Sequence, residues 1–334
     1  MQTRTRRSVL SLPLAVSLAL TASLGLGIAA APAEAQHMPE SFTVGTASQG
    51  GTYFIYGSGW ANLVGETLGI SGGGEVTGGP VQNAALVQTG ELEFGMVTLG
   101  PAYEAWTGNS PLAPGLEHDK LRAVFPMYQT PFSLITLASS GIERVTDIPD
   151  GATVGVGPAG GTSDTYFPAM LESLGVSIDK RNGGASDLAG QLQDGLIDVF
   201  AFAAGVPVSA FSQLEAQVDV NIFGFTPEEV ATLQEDFPVA EFTIPASMYQ
   251  SVDGDIGSVA MWNFAVTTAD MSEEFVYQVT KTVMENHERM MEIHSAARET
   301  LPENFDKNTF LPWHPGAVRW FEENGYDIPD DLEG

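Results

Sequence analysis

The chain has no cysteine, and its 334 residues hold only 13 lysines and arginines against 42 aspartates and glutamates. Without cysteine there is no disulfide, no thiol nucleophile and no thiolate metal site, and no residue to carry a lipid behind an export signal. The scarcity of bases sets the formal charge at −29. With so few cations to neutralise phosphates, nucleic acid and anionic membrane surfaces are excluded as partners. A saline habitat and plain solubility are both reasons for such a bias. Catalytic patterns are also missing: no serine lies in G-x-S-x-G or beside a plausible base. His37 and His118 have no ligand spacing around them, and His287 and His294 read as solvated residues on an acidic helix, so no metal is expected.

What is present begins with an export signal. Arg6-Arg7, preceded by Thr5 and followed by Val9-Leu10, matches the twin-arginine type. An apolar, small-residue stretch follows over Leu12–Ala31, then Ala33-Glu34-Ala35 as an A-x-A cleavage site. An uncleaved membrane anchor is the alternative. The first 35 residues carry a net charge of +2, so cleavage after Ala35 leaves 299 residues with −31 and no further apolar run of membrane length. That is enough chain for two domains of ordinary size. The expected product is a monomer, free in the periplasm.

From Ser41 to about Ala265, apolar runs alternate with glycine punctuation. The expected strands are 42–46, 74–78, 94–98, 121–128, 132–137, 153–157, 198–202 and 221–225. Helices fall between them, as over Tyr53–Leu68 and Pro80–Thr89, the latter opened by proline and closed by Gly90. Such alternation predicts parallel sheets. Tyr128–Leu137 and Ile244–Phe264 read as crossings between two lobes, placed at 38–130 plus 251–334 and at 131–250. A long helix is predicted over Glu273–Ala297, capped by Ser272. The tail beyond it holds His314 and Arg319 among Trp313, Trp320 and Phe321, and reads as structural packing.

Two glycine loops carry the chemistry. In Val44–Tyr53 a strand runs into Ser48-Gln49-Gly50-Gly51-Thr52-Tyr53, where glycines let backbone approach a ligand and the first helical turn offers free N–H groups to an anion. A tight turn with an N-cap is the plain alternative. In 153–164, Gly155, Gly157 and Gly160 spell G-x-G-x-x-G, with Asp179 about twenty residues on, the formal dinucleotide fingerprint. Pro158 removes one N–H that a pyrophosphate would use, and Pro168 disturbs the helix that should follow. No second nucleotide half accompanies it.

Taken together these segments resemble the TAXI family of solute-binding proteins, which serve TRAP-type secondary transporters. The resemblance runs through Gly45–Tyr53, Gly79–Val97, Ala102–Gly108, Ser140–Ile148, Val156–Ser163, Asp194–Pro207 and L-P-W-H-P-G-A-V-R-W-F-E-E at Leu311–Glu323. It implies an α/β, type II periplasmic binding protein: two Rossmann-like lobes, a hinge and a ligand cleft between them. It also implies TRAP membrane subunits as partners and a ligand such as glutamate, glutamine or a related small carboxylate or amino acid. No arginine stands at a strand end facing the cleft, so backbone N–H groups and hydroxyls must hold the acid. Thr98-Leu99-Gly100-Pro101 and Ala203-Ala204-Gly205 are less polar than the family's usual sequence, which leaves a plainer organic acid open.

The carboxylate is expected against Gly161, Thr162 and Ser163, with Gly157 in the same loop. Ser48, Gly50, Gly51, Thr52 and Tyr53 should close over it from the other lobe, and Thr98 and Gly205 should line the cleft. Binding without catalysis, cofactor or metal is the expectation. An exported nucleotide-dependent oxidoreductase using 153–164 is the rival, and a sensor module without a permease would share every residue named.

Overall fold

The computed structural model describes residues 38–334, so the export signal and its cleavage site lie outside the described residues. Strand β1 (Ser41–Gly45) leads through the first glycine loop into helix α1 (Thr52–Leu68). Tyr56, Trp60, Leu63 and Val64 recur at helical spacing and are buried, and the helix stops at Gly69, whose left-handed φ of 71° lets its N–H reach Gly65 O. Strand β2 (Ser71–Glu75), helix α2 (Pro80–Thr89), strand β3 (Phe94–Thr98) and helix α3 (Leu99–Trp106) follow. Strand β2 falls three residues before its predicted place, because the glycine run lets it lie close against α1. A Cβ at Gly65 would sit 2.9 Å from Gly72 N.

Strand β4 (Leu121–Leu137) was expected as two strands but runs unbroken through Pro126 and Pro131. A central strand excludes proline where its N–H is needed. Here Pro126 pairs opposite Phe264, beside a register shift between Trp262 and Phe264. The second half then comprises β5 (Ala152–Gly155), α4 (Thr162–Ser173), β6 (Ile178–Arg181), α5 (Ala185–Gln193), β7 (Val199–Ala203), α6 (Ser209–Glu215), β8 (Val220–Phe223), α7 (Pro227–Asp236) and β9 (Ala240–Ile244). Helix α4 carries Pro168 in its interior without breaking. Strand β10 (Ile256–Thr268) returns the chain to the first half.

The strand order is β2-β1-β3-β10-β4-β7-β5-β6, with β8 also on β4 and β9 on β10. Pairs β1–β2, β1–β3, β5–β6 and β5–β7 are parallel, as the alternation predicts, whereas β4 and β10 run antiparallel to their neighbours. From Leu121 to Pro131, β4 pairs with β10; from Phe132 on it pairs with β7 and β8 instead. Along β7, Val199 and Ala201 face one core while Phe200 and Phe202 face another, so this sheet is apolar on both sides.

The long helix expected over Glu273–Ala297 is three pieces: α8 (Glu273–Glu285), α9 (His287–Ile293) and a 3-10 turn over Ser295–Glu299. It breaks at Asn286, whose Nδ2 donates to Thr282 O at 2.7 Å and competes with the helical pattern. His294 is not solvated as expected but buried. Its Nδ1 accepts from Ala296 N and its Nε2 donates to Pro207 O in the second half. Helix α10 (Pro315–Glu323) closes the fold, with Trp313, Trp320 and Phe321 buried and His314 Nδ1 accepting from Gly316 N at its start. Arg319 pairs with Glu273 and Glu274 and lies 3.8 Å over the Tyr277 ring, so both tail residues are structural.

Candidate functional site

Three helices that start away from the centre, α7, α8 and α10, carry side-chain caps. Thr226 forms a capping box with Glu229 on α7, Ser272 accepts from Phe275 N on α8, and His314 caps α10. Helices α1, α2, α3 and α4 have none: Gly51, Gly79, Thr98 and Gly161 precede them without a side-chain bond. All four open on one cavity of about 40 Å³, lined among others by Thr52, Tyr53, Pro80, Thr98, Thr162 and Ser163. An uncapped first turn leaves N–H groups without partners and concentrates the positive end of the helix dipole, so convergent starts favour an anion. Helix α2 adds mainly its dipole, since Pro80 has no N–H and Val81 N donates to Gly160 O. Gly79 makes the convergence possible. Its φ of 102° suits glycine alone, and a Cβ there would lie 3.5 Å from Gly161 Cα across the cavity.

Four polar side chains in the lining, Tyr53, Thr98, Thr130 and Thr162, are bound into one buried network around Asn263. Asn263, in the middle of β10, accepts at Oδ1 from Tyr53 OH (2.7 Å) and Thr98 Oγ1 (2.9 Å). Its Nδ2 donates to Tyr128 O (2.6 Å) and Thr130 Oγ1 (2.7 Å). Thr98 Oγ1 also lies 2.8 Å from Thr162 Oγ1, joining the end of β3 to the start of α4. Burial pushes the Tyr53 phenol well above its ordinary range, so it remains a protonated donor. Among the described residues, no charged side chain lines the cavity. Nearby carboxylates are engaged elsewhere. Glu104 accepts from Tyr166 OH and is raised by burial. Asp164 is pushed up by burial but held below its ordinary range by Lys180, Asn182 and Gly160 N.

Of the eleven residues expected at the site, seven line the cavity: Gly51, Thr52, Tyr53, Thr98, Gly161, Thr162 and Ser163. Ser48, Gly50, Gly157 and Gly205 lie outside that lining and join the two halves or back the cavity wall. Ser48 Oγ accepts from Ala185 N at the start of α5, Gln49 O from Ser186 N, and Gly50 O from Ala210 N in α6. Gly205 O accepts from Thr52 Oγ1. Gly157, at φ 74°, backs onto the Phe202 ring, and its carbonyl accepts from Gly183 N and Asn182 Nδ2. In the G-x-G-x-x-G loop, the Gly160 carbonyl accepts from Val81 N in α2 at 3.4 Å. With the Gly160 N–H given to Asp164 Oδ2 and the Gly161 N–H to Pro158 O, the loop lacks the amides a pyrophosphate would use, and the cavity beside it is small for a dinucleotide. Sequence reasoning missed Asn263, Thr130 and Phe202. The one available signal was an amide inside the apolar run Val259–Val266.

Comparison with solved structures places this fold among type II periplasmic binding proteins. The chain is similar to the periplasmic binding protein BugD, at 15% identity over 86% of this chain and 97% of that one, with a TM-score of 0.57. It is also similar to a structure described as a periplasmic transporter, at 12% identity over 85% of this chain and 92% of that one, with a TM-score of 0.56. No curated protein matches the chain in sequence. The profile of the NMT1-like family matches residues 44–325, most of the chain, and the protein therefore belongs to the NMT1-like family.

Proposed function

We propose that this protein is a periplasmic solute-binding protein that delivers a small carboxylate to the membrane subunits of a TRAP-type secondary transporter, as a member of the TAXI group within its family. The observation that carries the reading is the convergence of four helix starts without side-chain caps on one buried cavity. Hydrogen bonds to a charged ligand contribute roughly 1.5–3 kcal/mol each, so three or four would hold a small acid at micromolar affinity or better after ordering costs. The polar groups in the lining are hydroxyls and amides suited to binding rather than to acid–base chemistry.

In this reading residues 38–130 with 251–334 form one lobe and 131–250 the other, and the cleft closes by hinge motion. The twin-arginine head and the A-x-A at Ala33–Ala35 deliver the mature monomer to the periplasm. Calorimetric titration of residues 36–334 with a panel of small carboxylates and nucleotides tests the ligand class. Saturable binding of a carboxylate, followed by uptake into vesicles carrying TRAP membrane subunits only when loaded protein is added, is the expected result. Binding of nucleotides alone would overturn it.

A further inference from the structure

The direction of each hydrogen bond in the lining follows from the protons already engaged. With Nδ2 of Asn263 donating to Tyr128 O and Thr130 Oγ1, its Oδ1 is fixed toward Tyr53 and Thr98, which both donate to it. Thr98 has one proton for three neighbouring oxygens, Asn263 Oδ1 at 2.9 Å, Thr162 Oγ1 at 2.8 Å and Tyr53 OH at 3.1 Å; given to Asn263, it leaves Thr162 as the donor at the 2.8 Å contact. Thr52 donates to Gly205 O. Two lining hydroxyls keep a proton without an acceptor among the described residues. Thr130 accepts from Asn263, and Ser163 accepts from Ala203 N at 2.8 Å. Both residues are only 2% exposed.

The unused capacity facing the cavity is therefore mostly donors: these two hydroxyls and the amides of the uncapped first turns. The lone pairs left on Tyr53, Thr130, Thr162 and Ser163 are neutral. A buried ammonium needs an opposite charge or a full set of acceptors, and without them its desolvation costs several kcal/mol. Here it would meet neutral hydroxyls, the positive ends of helix dipoles and no carboxylate.

We infer that the ligand is a small carboxylate without an ammonium group, such as a 2-oxo acid, and that Thr130 sets this preference by donating to the ligand's uncharged oxygen. The inference rests on the carboxylate-binding reading above and narrows it. Within the closed cavity the carboxylate takes the amides at the helix starts, and the neighbouring oxygen takes the Thr130 proton. A 2-amino acid of the same skeleton replaces that oxygen by three donors.

The test is calorimetric titration of the mature chain at pH 7 with matched pairs: pyruvate and L-alanine, 2-oxobutyrate and L-2-aminobutyrate, 2-oxoglutarate and L-glutamate. In the tightest-binding pair the 2-oxo acid should bind at least tenfold more strongly than its amino counterpart. Thr130→Val should weaken that 2-oxo acid at least fivefold while leaving the unsubstituted acid of the same length within twofold, and Thr130→Ser should restore binding. Equal or stronger binding of the amino acid overturns the inference and leaves the carboxylate reading standing. Equal loss of substituted and unsubstituted acids in Thr130→Val overturns the role of Thr130. Should the valine variant fail to fold, weak 2-oxo acid binding by Thr130→Ser overturns that role. Binding of no acid in either series sinks the carboxylate reading itself.

Discussion

Thr98 and Thr162 meet hydroxyl to hydroxyl at 2.8 Å, one ending strand β3 in the first half and the other beginning helix α4 in the second. Both residues line the cavity, and the contact joins its walls across the two halves of the chain. Thr162→Val keeps the volume and removes the bond. A neutral hydrogen bond is worth about 1 kcal/mol net, so carboxylate affinity should fall about fivefold. Calorimetry checks this, and unchanged affinity would mean the contact contributes nothing to closure.

Asn263→Leu should cost about 3 kcal/mol of unfolding free energy, because it strips partners from Tyr53, Thr98, Thr130 and the Tyr128 carbonyl together. Urea denaturation measures the loss. A change below about 1 kcal/mol would show that these groups find other partners.

Ser48 does not line the cavity, yet its hydroxyl caps α5 from the opposite half. Ser48→Ala should weaken carboxylate binding about fivefold, the worth of an ordinary cap at about 1 kcal/mol. No contact to the ligand is altered, so the effect should appear as a larger radius of gyration in solution scattering of the loaded protein. An unchanged radius with weakened affinity would place Ser48 on the ligand instead.

Burial lowers the pKa of His314 to about 4, Met271 O opposing through its hydrogen bond and Arg122 adding to the fall. The unfolded value is about 6.5, so the unfolded chain binds the proton more readily between these limits. The stability this residue contributes is complete above pH 6.5 and is lost as pH falls toward 4, by at most about 3 kcal/mol. His314→Asn keeps an acceptor for Gly316 N and removes the titration. Denaturation of both proteins at pH 4.5, 5.5 and 7 should show the native chain losing stability relative to the variant. Parallel curves would contradict it.

Gly79→Ala should lower stability by about 1–3 kcal/mol, since φ of 102° strains any side chain. The added methyl also points at Gly161 Cα, so ligand affinity should fall as well. Thermal unfolding with and without ligand separates the two effects, and an unaltered melting temperature would count against the strain.

Local chemistry made much of this legible in the chain. Strand β3 and helix α2 stand at their predicted bounds because proline, glycine and apolar periodicity mark their ends. The uncapped helix starts at the cavity were visible for the same reason: a glycine before Thr52 and before Thr162 is a local signal. Asn263 and Thr130 were not legible, because their role depends on which strands lie side by side. Thr98 faces Asn263 only through the antiparallel register of β3 and β10, a pairing of residues 165 apart in sequence. Nor could the extended, unbroken β4 be read past two prolines, since tolerance of each depends on the register of its partner. The split of the long helix at Asn286 turned on one amide choosing a carbonyl.

The chain passes between its halves twice, in β4 and β10, and over Leu121–Pro131 these two strands lie hydrogen-bonded flank to flank. Strand β3 flanks β10 at one end of this ladder and β9 at the other, so only Met261–Trp262 opposite Gln129–Thr130 lie as two strands alone, and lengthwise sliding there would break the rungs on either side. Under the proposed hinge reading, opening is expected to be a swing about this short stretch. One distance between a pair of labels, one on each half, would suffice to report the whole trajectory.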